Sequence, residues 1–577
     1  PTPPARCTVS PPERRARSVE NPCEVSAMAG YELRFDASET QRYRHLGQWP
    51  GTLLQDHVRR AVAAHPEKPA VIDARGRLTY EELAVATDEA ALGLLQLGVR
   101  GGDVVTAQLP NWNEFVVLRL ACERIGAVIN PIAPIFRERE VRVMLRLAEP
   151  KVALIARRFR NFDHPALYAG LRAEAPSLRH VLEVGDGVEP DGWQELLLAG
   201  REAWGHRAAL DWLRPQPDDV TEFIFTSGTT GEPKGVLHTS NTLAAAAEGT
   251  LSGMGLSGDD IFHMASTFAH QTGFTYGVHL PLHRGATAVY QDVWDSSRFV
   301  ELVAATGITY TMGATPFVAD TLRAMGDDAD ALRTLRIFIS AGAPIPAPLA
   351  EEFTRRLGCH LGAGWGMTEN GLVTACFPGD PPEKAWTSDG RPHPGMEVQV
   401  RSSDGVLGPG QEGDLYARGP FTFRGYIQGR RFTDRYFDEA GWFETGDRAR
   451  LDEDGFIRIT GRTKDLINRG GENIPIKEIE DLVLRHPAVR EVALVGYPDR
   501  RMGERAAAFV VLESGRSFEL EDLRAHLREH GVTPQFWPER VEVRDEFPTT
   551  PSGKVQRYRL REHLMTRTEE ATGAGNG

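Results

Sequence analysis

Cysteine is scarce in this chain. Five occur in 577 residues, Cys7, Cys23, Cys122, Cys359 and Cys376, widely scattered and without a CxxC spacing. That speaks against a disulfide framework or a zinc site, and it fits a reducing cytoplasm. Positive charge is in deficit as well: 66 Lys and Arg stand against 80 Asp and Glu, a net charge of -14, with no extended basic run. Nucleic acid and anionic membrane are therefore excluded as main partners. Long apolar runs are missing too. The stretch from Phe115 to Phe136 is broken by Arg119, Glu123 and Arg124, well short of the roughly 18 uncharged residues a membrane helix needs. Residues 1–27 have no apolar segment of the secretory kind. They are expected to be a disordered extension, with Met28 a natural start for the folded part.

What is present describes a multidomain α/β protein. Apolar residues make up 41% and charged residues 25%, and a chain this long exceeds a single hydrophobic core. From about Trp49 to Gly200 helical and strand patterns alternate. In "TYEELAVATDEAALGLLQLGV", Thr79 is placed as an N-cap with Glu82 at capping-box spacing, and Gly98 marks the stop. "DVVTAQL" reads as a short buried strand, and "ITYTMGATP" and "LRIFISAGAP" as strands that end in Gly/Pro turns. The pattern implies layers with largely parallel sheets, whose ligands sit at the carboxyl ends of strands. After Gly461 the texture changes. "INRGGENIPIKEIEDLVLRH" reads as a glycine turn leading into a helix with Ile476, Ile479, Leu482 and Val483 on one face; two strands and a helix near Leu520 to Glu529 follow. The expected units are 28–463 and 464–577, with a boundary near Lys464.

The strongest local signal is "EFIFTSGTTGEPKGVLHT", Glu222 to Thr239. An apolar strand opens into Thr226, Ser227, Gly228, Thr229, Thr230 and Gly231, with Lys234 beyond. Small hydroxyl residues and glycines leave N–H and O–H groups free to surround phosphate oxygens, and the lysine adds a point charge. A Walker P-loop is excluded: Pro233 precedes the lysine, Gly235 follows it, and "VLHT" reads as strand rather than helix.

On these residues the chain resembles the AMP-forming adenylate superfamily of acyl-CoA synthetases, aryl-CoA ligases, peptide-synthetase adenylation domains and luciferases. The resemblance runs from about Trp49 to Leu564 through at least five motifs in the family's order. It implies a large N-terminal domain of layered α/β subdomains and a small mobile α+β C-terminal domain. It also implies the substrates ATP and coenzyme A, with Mg²⁺. In "ISAGAP" it assigns Gly342, Ala343 and Pro344 to the adenine; read alone, that segment is only a small-residue turn. In "GAGWGMTEN" it assigns Trp365, Gly366, Met367 and Thr368 to AMP, Thr368 facing the α-phosphate, and Glu369 to Mg²⁺ together with Thr226. Trp365 stands where tyrosine is usual and keeps an aromatic face for adenine. In "GWFETGDRARLDEDGFIRITGRTKD", Asp447 and Arg462 match the ribose contacts and Lys464 the hinge. Arg469, Gly470 and Gly471 match the pantetheine tunnel, Arg469 replacing the usual serine. In "FPTTPSGKVQRYRLR", Lys554 matches the catalytic lysine, with Glu369 and Lys234 beside it in the chemistry.

The acyl pocket is expected from "STFAHQTGFTYGVHLPLHRGA" and "TMGATP": His270 as gate, with Gln271, Phe274, Gly313 and Ala314. "HQTGF" looks like the cyclohexanecarboxylate-CoA ligase group, whereas siderophore aryl-acid adenylases carry Asn where this chain has Gln271. The small residues leave room for a ring or a branched chain. The implied reaction adenylates a cyclic, aromatic or short- to medium-chain acid, releases pyrophosphate, and forms the acyl-CoA thioester with release of AMP. The alternative is a stand-alone adenylating enzyme that loads a carrier protein. A degenerate, non-catalytic scaffold would lack Lys554 or Glu369, and both are present.

Overall fold

The computed structural model describes residues 31–573 except 35–36, 186–190, 227–232, 343–344, 463–466, 470–471, 475, 500–502, 531, 533 and 550–554. Its strands form two large sheets of nine and seven strands, two five-stranded sheets and a two-stranded ribbon. Local chemistry sets the elements. Helix Tyr80–Gln96 starts where Thr79 Oγ1 accepts the Glu82 N–H at 3.2 Å and Glu82 Oε2 accepts the Thr79 N–H at 2.8 Å. Such caps contribute about 1 kcal/mol. The chain leaves the helix through Gly98 at φ +82°.

The apolar run that begins at Phe115 is a buried helix, Asn113–Ile125. It packs against strand Pro69–Asp73 of the nine-stranded sheet and strand Val128–Pro131 of the seven-stranded one. Its charges are paired inside the protein: Arg119 with Glu123 at 3.2 Å, and Arg124 with Asp88 at 2.9 Å. Among the described residues no helix is long and apolar enough to cross a membrane.

The centre of the nine-stranded sheet is parallel. In register, Met264 lies beside Met312, Met312 beside Ile339, and Ile339 beside Gly362. Strands Ile261–Met264, Tyr310–Gly313, Ile337–Ala341 and His360–Met367 therefore end side by side. In the seven-stranded sheet, strand Val220–Thr226 pairs antiparallel with Lys234–Thr239, and Thr226 faces Lys234 across the mouth of the glycine-rich loop.

Strand Ile457–Arg462 closes one five-stranded sheet; Ile467–Arg469 opens the other. The residues flanking the expected glycine turn pair as a short antiparallel hairpin, Ile467 with Ile474, and the expected helix follows as Ile476–Val483. Three-residue arms are too short to show alternation in sequence; the burial of Ile467 and Ile474 selects the strand. Ile476, Ile479 and Val483 of the helix are buried in the same core.

Gly200 of helix Gly192–Glu202 lies against helix Tyr80–Gln96, where an added Cβ would collide with the Glu89 main-chain carbonyl. Overpacking against backbone costs about 1–3 kcal/mol. Gly200→Ala is expected to lower the thermal midpoint measurably, whereas Gly205→Ala, which meets open space, leaves it unchanged.

Candidate active site

The residues from Trp365 to Glu369 run along the end of strand His360–Met367 and just past it, and three sheets converge on them. The Trp365 indole N–H donates to Asp447 Oδ2 at 2.9 Å. Both groups are buried, at 8% and 5% exposure. Asp447 lies on strand Phe443–Leu451, its position paired in register with Arg462. The Trp365 ring sits in an apolar cluster with Ala245, Ala246, Val373 and Met396, so its polar contribution here is the Nε1–H. Gly366 and Met367 are half-buried, and a Cβ on Gly366 would collide with the Gly371 carbonyl, which explains the glycine.

Two residues that sequence reasoning did not assign hold the other end of the segment. His238 Nε2 donates to the Thr368 carbonyl at 2.8 Å; burial pushes its pKa down to about 4, so the ring stays neutral. The Tyr426 hydroxyl donates to Glu369 Oε1 at 2.9 Å, and the Phe423 N–H donates to the Glu369 carbonyl at 2.7 Å. Glu369 is thereby a fixed carboxylate at 6% exposure. The signal for His238 was strand parity: Lys234, Val236 and His238 share one face of strand Lys234–Thr239. Tyr426 lies in no motif and had no such signal.

Lys234 Nζ donates to the Tyr436 hydroxyl at 2.7 Å and lies 4.3, 5.3 and 5.4 Å from the ring centres of Tyr436, Tyr426 and Phe432. This aromatic cage holds the cation at the mouth of the loop, opposite half-buried Thr226. Gly342 follows strand Ile337–Ala341 at φ +92°, where a side chain would be strained. Ser227, Gly228, Thr229, Thr230, Gly231, Ala343, Pro344, Lys464, Gly470, Gly471 and Lys554 lie outside the described residues, as does the side chain of Arg462.

The expected acyl-pocket residues gather around the π-helix Thr272–His279, a helix type frequent at functional sites. His270 is half-buried just before it, with Nδ1 3.1 Å from Thr272 Oγ1. Gly313 and Ala314 lie at the end of strand Tyr310–Gly313, one strand away from the strand that leads into His270. Gln271 and Phe274 point into the protein. Phe274 is fully buried, edge-on to Phe115 and beneath Arg119. Gln271 Nε2 donates to Glu222 Oε1 at 3.0 Å and to Thr275 Oγ1 at 2.7 Å. Glu222, on the strand that feeds the glycine-rich loop, is wholly buried, and burial pushes its carboxyl up to about 8.

Arg469 pairs with Glu539 at 2.7 Å and also reaches the Trp537 carbonyl, and Lys477 pairs with Asp481 at 2.6 Å. Arg469, Arg524, Arg528 and Trp537, together with Glu521 and Glu539, line a cleft of about 340 Å³.

Comparison with known proteins bears on the family of the chain. The family model described as AMP-binding enzyme matches residues 58–427, and that of the AMP-binding enzyme C-terminal domain matches residues 478–554. A medium-chain fatty-acid–CoA ligase of Escherichia coli is 35% identical, covering 93% of this chain and 94% of its own. A salicylyl-CoA synthase/salicylate adenylyltransferase of a Streptomyces species is 34% identical, covering 90% and 95%. Among solved structures, ATP-bound MatB from Rhodopseudomonas palustris superposes with a TM-score of 0.79 at 27% identity, over 89% of this chain and 99% of that one.

Glu222 gives stability a pH dependence whose sign follows from its burial. Its carboxyl titrates near 8 in the folded chain against an ordinary 4.5. Below the lower value both states keep the proton; as pH rises towards the upper one, only the unfolded state releases it, so stability falls across that window. Glu222→Gln removes the effect. The variant's gain in thermal midpoint over the parent is expected to be small at pH 5 and largest at pH 8, and a pH-independent difference would contradict the assignment.

Proposed function

The chain belongs to the AMP-binding enzyme family and is an adenylate-forming acid–thiol ligase, and from that premise we propose that it converts a carboxylic acid, ATP and coenzyme A into an acyl-CoA. The observation that carries this reading is the convergence on Trp365–Glu369. One end of the segment holds the buried Asp447 carboxylate, the other is the buried Glu369 carboxylate, and both adjoin strand ends of the α/β layers. In such layers ligands bind at those ends.

Asp447 accepts the ribose hydroxyls, opposite Arg462. Lys234 and the loop of Thr226 to Gly231 take the phosphates. Glu369 and Thr226 present hard oxygen donors, and the carboxylate is oriented by Tyr426, so the donor set fits Mg²⁺. Bound there, the ion neutralises charge on phosphate oxygens. Gly342, Ala343 and Pro344 border the adenine. The substrate carboxylate, beside His270, attacks the α-phosphorus as its bond to pyrophosphate breaks, and Lys554 stabilises the charge between the two groups. In the second half-reaction the coenzyme A sulfur attacks the acyl carbon, AMP leaves, and the thiol proton passes to solvent. The C-terminal unit, 464–577, turns at Lys464 between the two poses and brings Gly470 and Gly471 to the thiol arm.

The acid belongs to the cyclic, aromatic or short- to medium-chain range; the names of the Escherichia coli and Streptomyces relatives cite a medium-chain fatty acid and salicylate. Coenzyme A is favoured over a carrier protein by the arginine-lined cleft. Its guanidinium groups and the Trp537 indole suit a phosphorylated nucleotide, with Arg528 the leading contact because Arg469 and Arg524 are paired with Glu539 and Glu521. Lys477, held by Asp481, contributes less.

Two measurements test the reading. Trp365→Phe removes the buried hydrogen bond to Asp447 Oδ2, a loss of about 1–3 kcal/mol. The KM for ATP in pyrophosphate release should rise roughly tenfold, since about 1.4 kcal/mol is one power of ten; an unchanged KM would move the ribose contact elsewhere. With the best acid of a cyclic, aromatic and medium-chain panel, free coenzyme A should give saturable AMP release, and dephospho-coenzyme A a higher KM. If acyl-AMP accumulates with coenzyme A but is consumed by a pantetheinylated carrier protein, the carrier reading replaces this one.

A further inference from the structure

Away from the site, three metal-capable side chains meet at the end of helix Leu520–Glu529. One nitrogen of His526, one of His530 and a carboxylate oxygen of Glu529 lie within 4.8 Å of one another, the one such group among the described residues. The spacing i, i+3, i+4 places all three on one helical face. His526 is 9% exposed, whereas Glu529 and His530 are open to solvent.

The hydrogen bonds of the two imidazoles set their tautomers. His526 Nε2 faces the Leu482 carbonyl at 2.8 Å and must donate to it, so Nδ1 carries the lone pair. His530 Nδ1 donates to the His526 carbonyl at 2.9 Å, which leaves Nε2 as the lone-pair nitrogen. A ring N–H held by a main-chain carbonyl is the support that metal-ligating histidines use, because it orients the ring and raises the basicity of the other nitrogen. The neighbouring His486, its ring centre 5.1 Å from that of His526, accepts the Ala488 N–H on Nδ1. Its remaining nitrogen therefore carries the proton, and the ring borders the donor set without joining it.

We propose that His526, Glu529 and His530 bind one divalent transition-metal ion, with zinc best suited to the donors. Two imidazoles and a carboxylate select a borderline cation over Mg²⁺, which prefers oxygen alone. Zinc bonds of about 2.0–2.2 Å place tetrahedral donors about 3.4 Å apart, inside the 4.8 Å within which the three ligand atoms lie. Water takes the fourth position. This ion is separate from the one that accompanies ATP, and it clamps the last turn of the helix whose other side carries Arg524 and Arg528 of the cleft.

The test is calorimetric titration of Zn²⁺ alone into the chelator-treated full chain. One ion per chain is expected. Even outer-shell partners of bound zinc are worth about 10–100-fold in affinity, so His530→Ala and Glu529→Gln should each weaken binding at least about tenfold. The pyrophosphate-release rate, unchanged in both variants, shows that they are folded. Co²⁺ bound to the parent should give the visible absorption of a four-coordinate site, lost in the double variant. Absence of saturable Zn²⁺ binding, or equal stoichiometry and affinity in parent and Glu529→Gln/His530→Ala, would overturn the proposal.

Discussion

The structure depends on the anchoring of one short segment, Trp365–Glu369, where three sheets meet. It begins within the nine-stranded sheet, gives its indole N–H to Asp447 of a five-stranded sheet, and takes hydrogen bonds from His238 and Tyr426 of the seven-stranded sheet. Each of these contacts is buried, so each is strong and each is costly to leave unmade. A burial-depressed His238 makes the clamp insensitive to protonation near neutrality, because a neutral ring keeps its Nε2–H on the Thr368 carbonyl. Two carboxylates are thereby held in place before any substrate arrives. Preorganised polar groups of that kind need no reorganisation during reaction, which is where electrostatic catalysis gains most.

The core behind this segment carries more charge than an apolar sandwich usually tolerates. Arg119 and Glu123 pair with no exposure on either side chain, and Glu222 accepts from Gln271, which also donates to Thr275. A buried ion pair contributes little net stability, but removing one partner is severe. Glu222 resolves its burial differently, by holding its proton well above the ordinary carboxylate range. The Arg119 guanidinium favours the charged form of Glu222 and so opposes part of that rise. Gln271 is held in this network, and Phe274 packs edge-on to Phe115 beneath Arg119, so both side chains are fixed within the core.

The C-terminal unit has a different character. Its core is a small sheet with Ile467, Ile474, Ile479 and Val483 beneath, and its polar surface concentrates arginines on one side of helix Leu520–Glu529 and histidines on the other. Helical periodicity alone separates the two faces, because Arg524 and Arg528 are four residues apart, as are His526 and His530.

By itself the sequence determined the elements and the chemistry class. Thr79 and Glu82 announced a capped helix, the β-branched runs announced buried strands, and the loop from Thr226 to Lys234 announced phosphate binding. These signals are local, since they rest on caps, alternation and backbone freedom within a few residues. Only tertiary structure decided what those residues do to one another. Trp365 and Asp447 stand 82 positions apart, and nothing in either motif says that the indole would orient the carboxylate. His238 and Tyr426 took their roles from sheet packing, and Tyr426 has no motif to mark it. The hairpin at Ile467 was hidden because three-residue arms carry no period, and the hydrogen bond from Gln271 to Glu222 because the two stand 49 positions apart. Hydrogen bonds between distant strands depend on register and layer order, and those are properties of the folded sheets rather than of any stretch of chain.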